Sequence, residues 1–385
     1  MSMYFLSYKN GKHDSNQIAN LYIKDELIKT KQKIERIDLN KNGEIYLSFI
    51  ENNQQNKFDL KISKSANSIL IFYGLITNFN EIKSSFPEIE ISNEENFLRK
   101  ILETYGIGYC IPYIEGYFSI IFINLKSDKI YFSNDKFNIV KNYIYSDPNN
   151  RFIASNKLSL ITSLLEEDLS INKKSIDDYN LYGYINHPKT IYQKIYSLPR
   201  REIYEYDISK KRFSSFSLPK ISNGIESFNL KKILLTNLSD ILDKFPNAYL
   251  ILDLNIGSLA LLLMAKYELG VNLKTILPYF EDDILNNSHI LKNYEKEFKI
   301  IKTKINLDFQ ELFLSQLGKY DFKDNQPIAS LNHFINIFLA KKLTKFEIEY
   351  LINPIGYSQY LWSDSRYYKA INLIKDNYKN SESGR

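Results

Sequence analysis

The stretch AYLILDLNIGSLALLLMAK, Ala248 to Lys266, constrains this chain more than any other. An apolar run, a short turn and an apolar helical stretch follow one another directly. Tyr249 to Leu252 read as a buried parallel strand, Asp253 to Ser258 as a tight turn and Leu259 to Lys266 as a helix. Such a junction presents free backbone N–H groups and a positive dipole end, which is how phosphates are held. Here the turn opens on Asp253, whose carboxylate repels phosphate, and Leu254 and Asn255 give none of the close backbone approach that glycines allow. The outline of a nucleotide loop is present without its chemistry, and Asp253 at a strand end before a helix reads first as a helix cap.

The chain has 385 residues and 44% hydrophobic content, enough for two or three domains with real cores. A formal net charge of +5 with dispersed basic residues gives no reason to expect a nucleic acid or an anionic membrane as partner. The single cysteine, Cys110, excludes a disulfide framework and a cysteine-rich zinc site, and it fits a reducing cytoplasm. No apolar run reaches the roughly 18 residues of a membrane span, and MSMYFLSYKN lacks the blocks of a signal peptide. A cytoplasmic protein is the expectation.

The first part reads as short strands: Gly43 to Ile50, Asn67 to Ile76, Gly116 to Leu125, Asp128 to Asp135, Asn142 to Asp147 and a hairpin-like segment at Ile203 to Ser217. Helical patterns interrupt them at Glu94 to Tyr105, behind a Ser92/Glu95 capping-box pair, and at Ser175 to Tyr184. This is the make-up of a layered α+β domain. Ser217 to Phe228, with Pro, Gly and Ser, reads as a linker. Beyond it come helices at Leu230 to Lys244, Ile284 to Phe298 and Leu331 to Lys345. They alternate with strands at Tyr249, Leu273 to Tyr279, Lys299 to Ile305 and the run EYLIN. That alternation argues for a parallel doubly wound sheet with ligands beyond the strand ends, here Asp253, Tyr279 and Asn353.

The order of these segments resembles glutamine-hydrolysing asparagine synthetase and its relatives, the β-lactam synthetases and lasso-peptide cyclases. YGLITNFNEI is similar to the family's NGEIYNxxEL, and IEGYFSIIFINLKSDKIYFSNDKFNI to its LxGxFAFxxxDxxxxxLxxARDRxGI. RFIASNKLSLI is similar to FASExKAL, YGYINHPKTIYQKIYSLPR to GYxxxPxTxxxxIxxLPPG, and LILDLNIGS falls on the pyrophosphate loop LLSGGLDS. The resemblance implies an N-terminal nucleophile (Ntn) amidotransferase-like αββα domain over residues 1–219. Residues 228–385 would then be an α/β ATP-pyrophosphatase-like domain of the adenine nucleotide α-hydrolase kind. The resemblance further implies that this second domain is truncated, with the chain stopping soon after Trp362, before the region in which relatives place catalytic Glu and Lys residues.

Carried over position by position, the family's chemistry fails at most points. Ser2 stands where the family exposes an N-terminal Cys nucleophile, whose own amine is the base. Tyr73 replaces the oxyanion Asn beside Gly74, Leu75 replaces the following Glu, and Asn93 falls on the acidic residue that would hold the glutamine amine. In the second domain the loop becomes Asp253, Leu254, Asn255, Ile256, Gly257, Ser258, with only Ser258 kept. The second acidic loop aligns with Ile352 to Ser358 and holds no carboxylate for Mg²⁺.

Other chemistry-bearing residues have plainer readings. Glu281, Asp282 and Asp283 read as a solvated helix N-terminus before a metal site. His13, His187, His289 and His333 lie on separate elements without ligand spacing, and Cys110 reads as a core residue. The expectation is a catalytically impaired synthetase homologue with no cofactor and no metal. It would act through a protein partner, either an active synthetase or tailoring enzyme or a second copy of itself. Two alternatives stay open: an ATP- and Mg-dependent amide-bond-forming enzyme with a rebuilt site at Asp253, Ser258 and the Glu281 to Asp283 cluster, and a Ser2-dependent hydrolase.

Overall fold

The computed structural model describes residues 3–10, 32–38, 43–50, 59–146, 152–165, 169–210, 212–218, 229–252, 256–280 and 301–307, with short pieces between 326 and 354. The chain divides into two compact units. One is Met1–Asn223 with Asp321–Ala329, and the other is Gly224–Tyr320 with Ser330–Arg385.

Two antiparallel sheets build the first unit. One runs in the order β10 (Ile195–Ser197), β8 (Tyr143–Ser146), β9 (Phe152–Ser155), β1 (Met3–Asn10), β3 (Gly43–Ile50), β2 (Gln32–Asp38). The other runs β12 (Arg212–Ser217), β11 (Glu202–Asp207), β7 (Lys129–Asn134), β6 (Gly116–Asn124), β5 (Ser68–Ile76), β4 (Asp59–Lys64). Alternation along the strands decides which layer each side chain enters. Ile69, Ile71 and Tyr73 of β5 and Ile121 and Ile123 of β6 join Leu6, Ile144, Phe152 and Ala154 in a core between the sheets. Their neighbours Leu70, Phe72, Ile120 and Phe122 point the other way, onto the helix α2 (Glu94–Tyr105). Tyr143, Tyr145 and Ile153 point outward from the first sheet onto α4 (Leu158–Leu164). Among the described residues the layers are therefore helix, sheet, sheet, helix, with both faces of the second sheet covered and the outer face of the first covered over β8, β9 and β10. That is why β5 and β6 read as continuous apolar runs rather than alternating ones.

Phe152 brings the sheets together. Its ring lies 4.5 Å from Tyr206, 5.7 Å from Phe213 and 6.1 Å from Phe132, all from the opposite sheet. Aromatic groups in such edge and tilted arrangements add to their area burial.

The helix α2 is amphipathic, with Phe97, Leu98, Ile101 and Leu102 on its buried stripe and Glu94 and Glu95 in its first turn. Its cap differs from the expected capping box: the Asn93 side chain, not Ser92, accepts from the N–H of Asn96 at 3.0 Å. Gly106 at φ 85° ends it. On its polar side Glu103 accepts from Ser68 (2.9 Å) and Asn67 (3.1 Å) and pairs with Arg99 at 2.7 Å. Burial by itself raises Glu103, but the bonds from Ser68 and Asn67 and the charges of Arg99 and Lys100 outweigh it and hold the carboxyl below its ordinary value.

In the second unit the helix α6 (Leu230–Lys244) precedes β13 (Tyr249–Ile251), α7 (Ile256–Tyr267), β14 (Lys274–Phe280) and β15 (Ile301–Leu307), and β16 (Leu351–Ile352) follows. All the strand pairs are parallel, in the order β15, β14, β13, β16. The order reverses beside β13, the arrangement of a topological switch point. Leu250, Leu252, Leu261, Leu262, Ala265 and Ile352 fill the core, with Leu238 from α6. The helix α7 begins at Ile256, so Gly257 and Ser258 lie in its first turn and not in the preceding loop, as the sequence suggested. The helix expected over Ile284 to Phe298 lies outside the described residues, as does most of that over Leu331 to Lys345. Among the described residues no helix is long and apolar enough to cross a membrane.

Two outcomes follow from this packing. Phe152→Ala, which empties the inter-sheet contact, is expected to lower stability by about 3–5 kcal/mol in urea unfolding, and a loss under about 1 kcal/mol would contradict the contact's weight. Because the folded pKa of Glu103 lies below its unfolded value, its contribution is present above the unfolded pKa and is lost as pH falls through the folded one. Glu103→Gln should therefore flatten the acid limb of the stability–pH profile, read from urea midpoints, and an unchanged acid limb would contradict this.

Candidate functional site

The strands β5 and β6 meet closely at one end. Gly74 has φ 137° and Gly116 φ 140°, a region that strongly favours glycine. A Cβ on Gly74 would lie 2.0 Å from the carbonyl oxygen of Tyr117, and one on Gly116 would lie 2.1 Å from that of Leu75. Glycine is therefore required at both positions. The turn beyond is tied down by Asn78, which donates to the carbonyl of Tyr113 (2.9 Å) and accepts from the N–H of Glu115 (2.9 Å).

The residues singled out in the sequence lie around this glycine pair as follows. Tyr73 is 3% exposed in the inter-sheet core, in one cluster with Leu6 of β1. Leu75 is partly exposed. Asn93 is exposed at the head of α2, which covers the opposite face of the sheet, and its amide is engaged by the cap bond to Asn96 and by a 2.8 Å bond to Glu95. The structure thus places Tyr73 and Asn93 on opposite sides of β5. Ser2 lies outside the described residues, while the strand after it, β1, is internal to its sheet between β9 and β3.

In the second unit Gly257 and Ser258 are buried in α7, and Asn353 is exposed just past β16. Asp253, Asn255 and the Glu281 to Asp283 cluster lie outside the described residues. Cys110 is fully buried, its thiol bonded to the carbonyl of Ile101 at 3.4 Å and pushed up to about 12 by burial, so it is a core residue and not a nucleophile.

Two features escaped the sequence reading. Asp135, 0% exposed, accepts from the backbone N–H groups of Phe137, Ile139 and Val140 at 2.9–3.2 Å and so shapes the loop after β7. A chain of buried asparagines, Asn134, Asn138 and Asn142, runs from that loop to His187. The available signal was their four-residue spacing in NDKFNIVKN, which falls in a loop where no periodicity argument applies.

Residues 35–217, which hold both sheets apart from β1 and the first three residues of β2, match the family model for a glutamine amidotransferase domain. The first unit carries an amidotransferase domain. Over 172 residues, 44% of this chain, it is 25% identical to "Putative asparagine synthetase (glutamine-hydrolyzing) 2" of Methanocaldococcus jannaschii. The match spans 33% of that relative's length, so the homology to asparagine synthetase is weak and partial.

Among solved structures, a glutamine phosphoribosylpyrophosphate amidotransferase from B. subtilis complexed with ADP and GMP aligns with a TM-score of 0.35 at 8% identity, over 72% of this chain and 75% of that one. A structure titled as the allosteric regulatory enzyme of purine biosynthesis aligns at 0.34 and 8% identity, over 79% and 80%. A class-II glutamine aminotransferase domain protein from Silicibacter pomeroyi aligns at 0.26 and 8% identity, over 56% and 98%.

The glycine pair of the amidotransferase domain yields a direct expectation. Gly74→Ala should cost more than about 1 kcal/mol, since the native φ is unsuited to alanine and the added carbon meets backbone. A thermal midpoint equal to that of the parent protein would contradict the close approach.

Proposed function

We propose that the amidotransferase domain does not hydrolyse glutamine, and that the chain acts by binding, as a non-catalytic subunit or scaffold beside an active synthetase or tailoring enzyme in a peptide-tailoring complex. Tyr73 carries this reading. Where the resemblance calls for an oxyanion-holding Asn, a phenol is buried between the sheets. Leu75 brings no carboxylate, and the Asn93 amide is taken up in a helix cap. Loss of one oxyanion donor costs roughly two to three powers of ten in rate, and here the amine anchor changes as well. The backbone bend at Gly74 is kept while the side chains around it are replaced.

Glutamate and ammonia release from L-glutamine by the purified chain tests the reading. The expected result is no release above background, for the parent protein and for Ser2→Ala alike. Release that disappears in Ser2→Ala would overturn the reading and favour the Ser2-dependent hydrolase.

A second reading is favoured by the parallel sheet, whose order reverses beside β13. In it the second unit is an ATP-dependent amide-bond former with a rebuilt site, and ATP and Mg²⁺ would meet Asp253 and Ser258. Pyrophosphate release that is lost in Ser258→Ala would support this enzyme over the scaffold.

A further inference from the structure

Three exposed tyrosines stand in a row where α2 gives way to the short helix α3 (Ile107–Cys110). The ring centroids of Tyr105 and Tyr109 are 6.0 Å apart, and those of Tyr109 and Tyr113 are 5.6 Å apart. Phe86, just after the helix α1 (Phe79–Ser85), lies 5.0, 6.4 and 6.5 Å from the three in turn, so the row curves around it. Phe86 is 4% exposed and belongs to the core beneath α2, whereas the tyrosines are 38%, 54% and 46% exposed. The rings are thus anchored from behind and open to water in front.

The other exposed aromatic pair among the described residues, Tyr182 and Tyr184 at the end of α5 (Lys173–Tyr182), has no third ring beside it. Contiguous exposed apolar surface marks a place of interaction more than scattered rings do. Rings already held in position also lose little conformational freedom when a partner arrives. The main chain is held as well, since the turn between the helices passes through Gly106 at φ 85° and the carbonyl of Tyr113 accepts from Asn78 at 2.9 Å.

The charge beside the rings selects the partner. Tyr105 donates its hydroxyl hydrogen to the Glu88 carboxylate. The segment from Phe86 to Glu95 holds Glu88, Glu90, Glu94 and Glu95 and no basic residue. Glu94 pairs with Lys61, but among the described residues no cation pairs with Glu88 or Glu90. Likewise the cation–ring contacts among the described residues lie elsewhere, with Lys266 on Tyr267 and Lys274 on Tyr249. Open aromatic faces and a carboxylate without a counter-charge therefore meet at one place, and both attract a cation.

We propose that Tyr105, Tyr109, Tyr113 and Glu88 form a docking site for an arginine-bearing basic segment of a partner protein. Arginine fits better than lysine, because its planar guanidinium stacks on a ring face and pairs with a carboxylate at once, whereas an ammonium is a strongly hydrated point charge. The site lies on the α2 side of its sheet, away from Tyr73, and stands whether or not the domain hydrolyses glutamine.

Calorimetric titration of the full chain with a capped peptide of alternating arginine and serine tests the site. This peptide should bind saturably and more tightly than its lysine counterpart, and a counterpart with glutamate in place of arginine should not bind. Glu88→Gln with Tyr109→Leu removes the charge and one aromatic face while keeping most of the shape and apolar volume. Binding should weaken about tenfold, as expected from an exposed cation–ring contact and an exposed ion pair together. Glu88→Gln alone, an isosteric change at an exposed residue, should weaken it about two- to threefold. Tyr196→Leu, which alters a comparably exposed tyrosine on β10, should leave it unchanged.

No saturable heat, equal affinity for the lysine or glutamate peptide, or undiminished binding by a double variant with native circular dichroism would overturn the site. A dimer of the parent chain in sedimentation equilibrium that the double variant lacks would assign the face to a second copy, and would overturn it too.

Discussion

The contact on which the first unit depends is the apolar layer between its two antiparallel sheets, where Phe152 of one sheet lies against Phe132, Tyr206 and Phe213 of the other. Once that layer is sealed, each sheet still has an outward apolar face. The helices α2 and α4 exist in their places because Leu70 and Phe72 on one side, and Tyr143 and Ile153 on the other, must leave water. The charges of Arg99 and Glu103 tie α2 to the start of β5 from its polar flank. Among the described residues the positions of these helices thus follow from a single requirement, that the outward apolar faces over β5 and β6 and over β8 and β9 be covered.

The same requirement bears on function. Tyr73 belongs to the inter-sheet layer as much as Ile71 does, so the side chain at this position serves packing. The backbone around it is set by the glycine pair at Gly74 and Gly116 and by the turn tied by Asn78, and in the proposed reading this is the part of an amidotransferase site that persists. A fold can keep such geometry for stability alone, since architecture and activity are separable. In the second unit the order of the parallel sheet reverses beside β13, and Ser258 of the loop-like segment is buried in a helix.

The strands that face two apolar layers were legible in the sequence. Ser68–Ile76 and Gly116–Asn124 were found within a residue or so because their runs are continuous, and Gly43–Ile50 because of its β-branched and aromatic residues. Gln32–Asp38 and Asp59–Lys64 were not, since QKIERID and DLKISK alternate with charge and stand at sheet edges. The cap of α2 was misplaced by one residue because Ser92 and Asn93 are both good caps, and geometry alone chose Asn93. The onset of α7 was set late because Gly257 and Ser258 read as turn residues, while in the fold the first turn of the helix takes them in. At the candidate site the replaced residues could be named from the resemblance. Their placement on opposite faces of β5 could not, because a face assignment needs the register. The chain of asparagines from Asn142 to His187 joins segments about 45 residues apart, and only the fold brings them together.

The central claim is that side chains which would grip glutamine have been replaced while the amidotransferase fold around them stands. Calorimetric titration of the full chain with L-glutamine tests it most directly. The account predicts no saturable heat, whereas saturable binding that is lost when Gly74 or Leu75 is altered in a protein that still folds would contradict it.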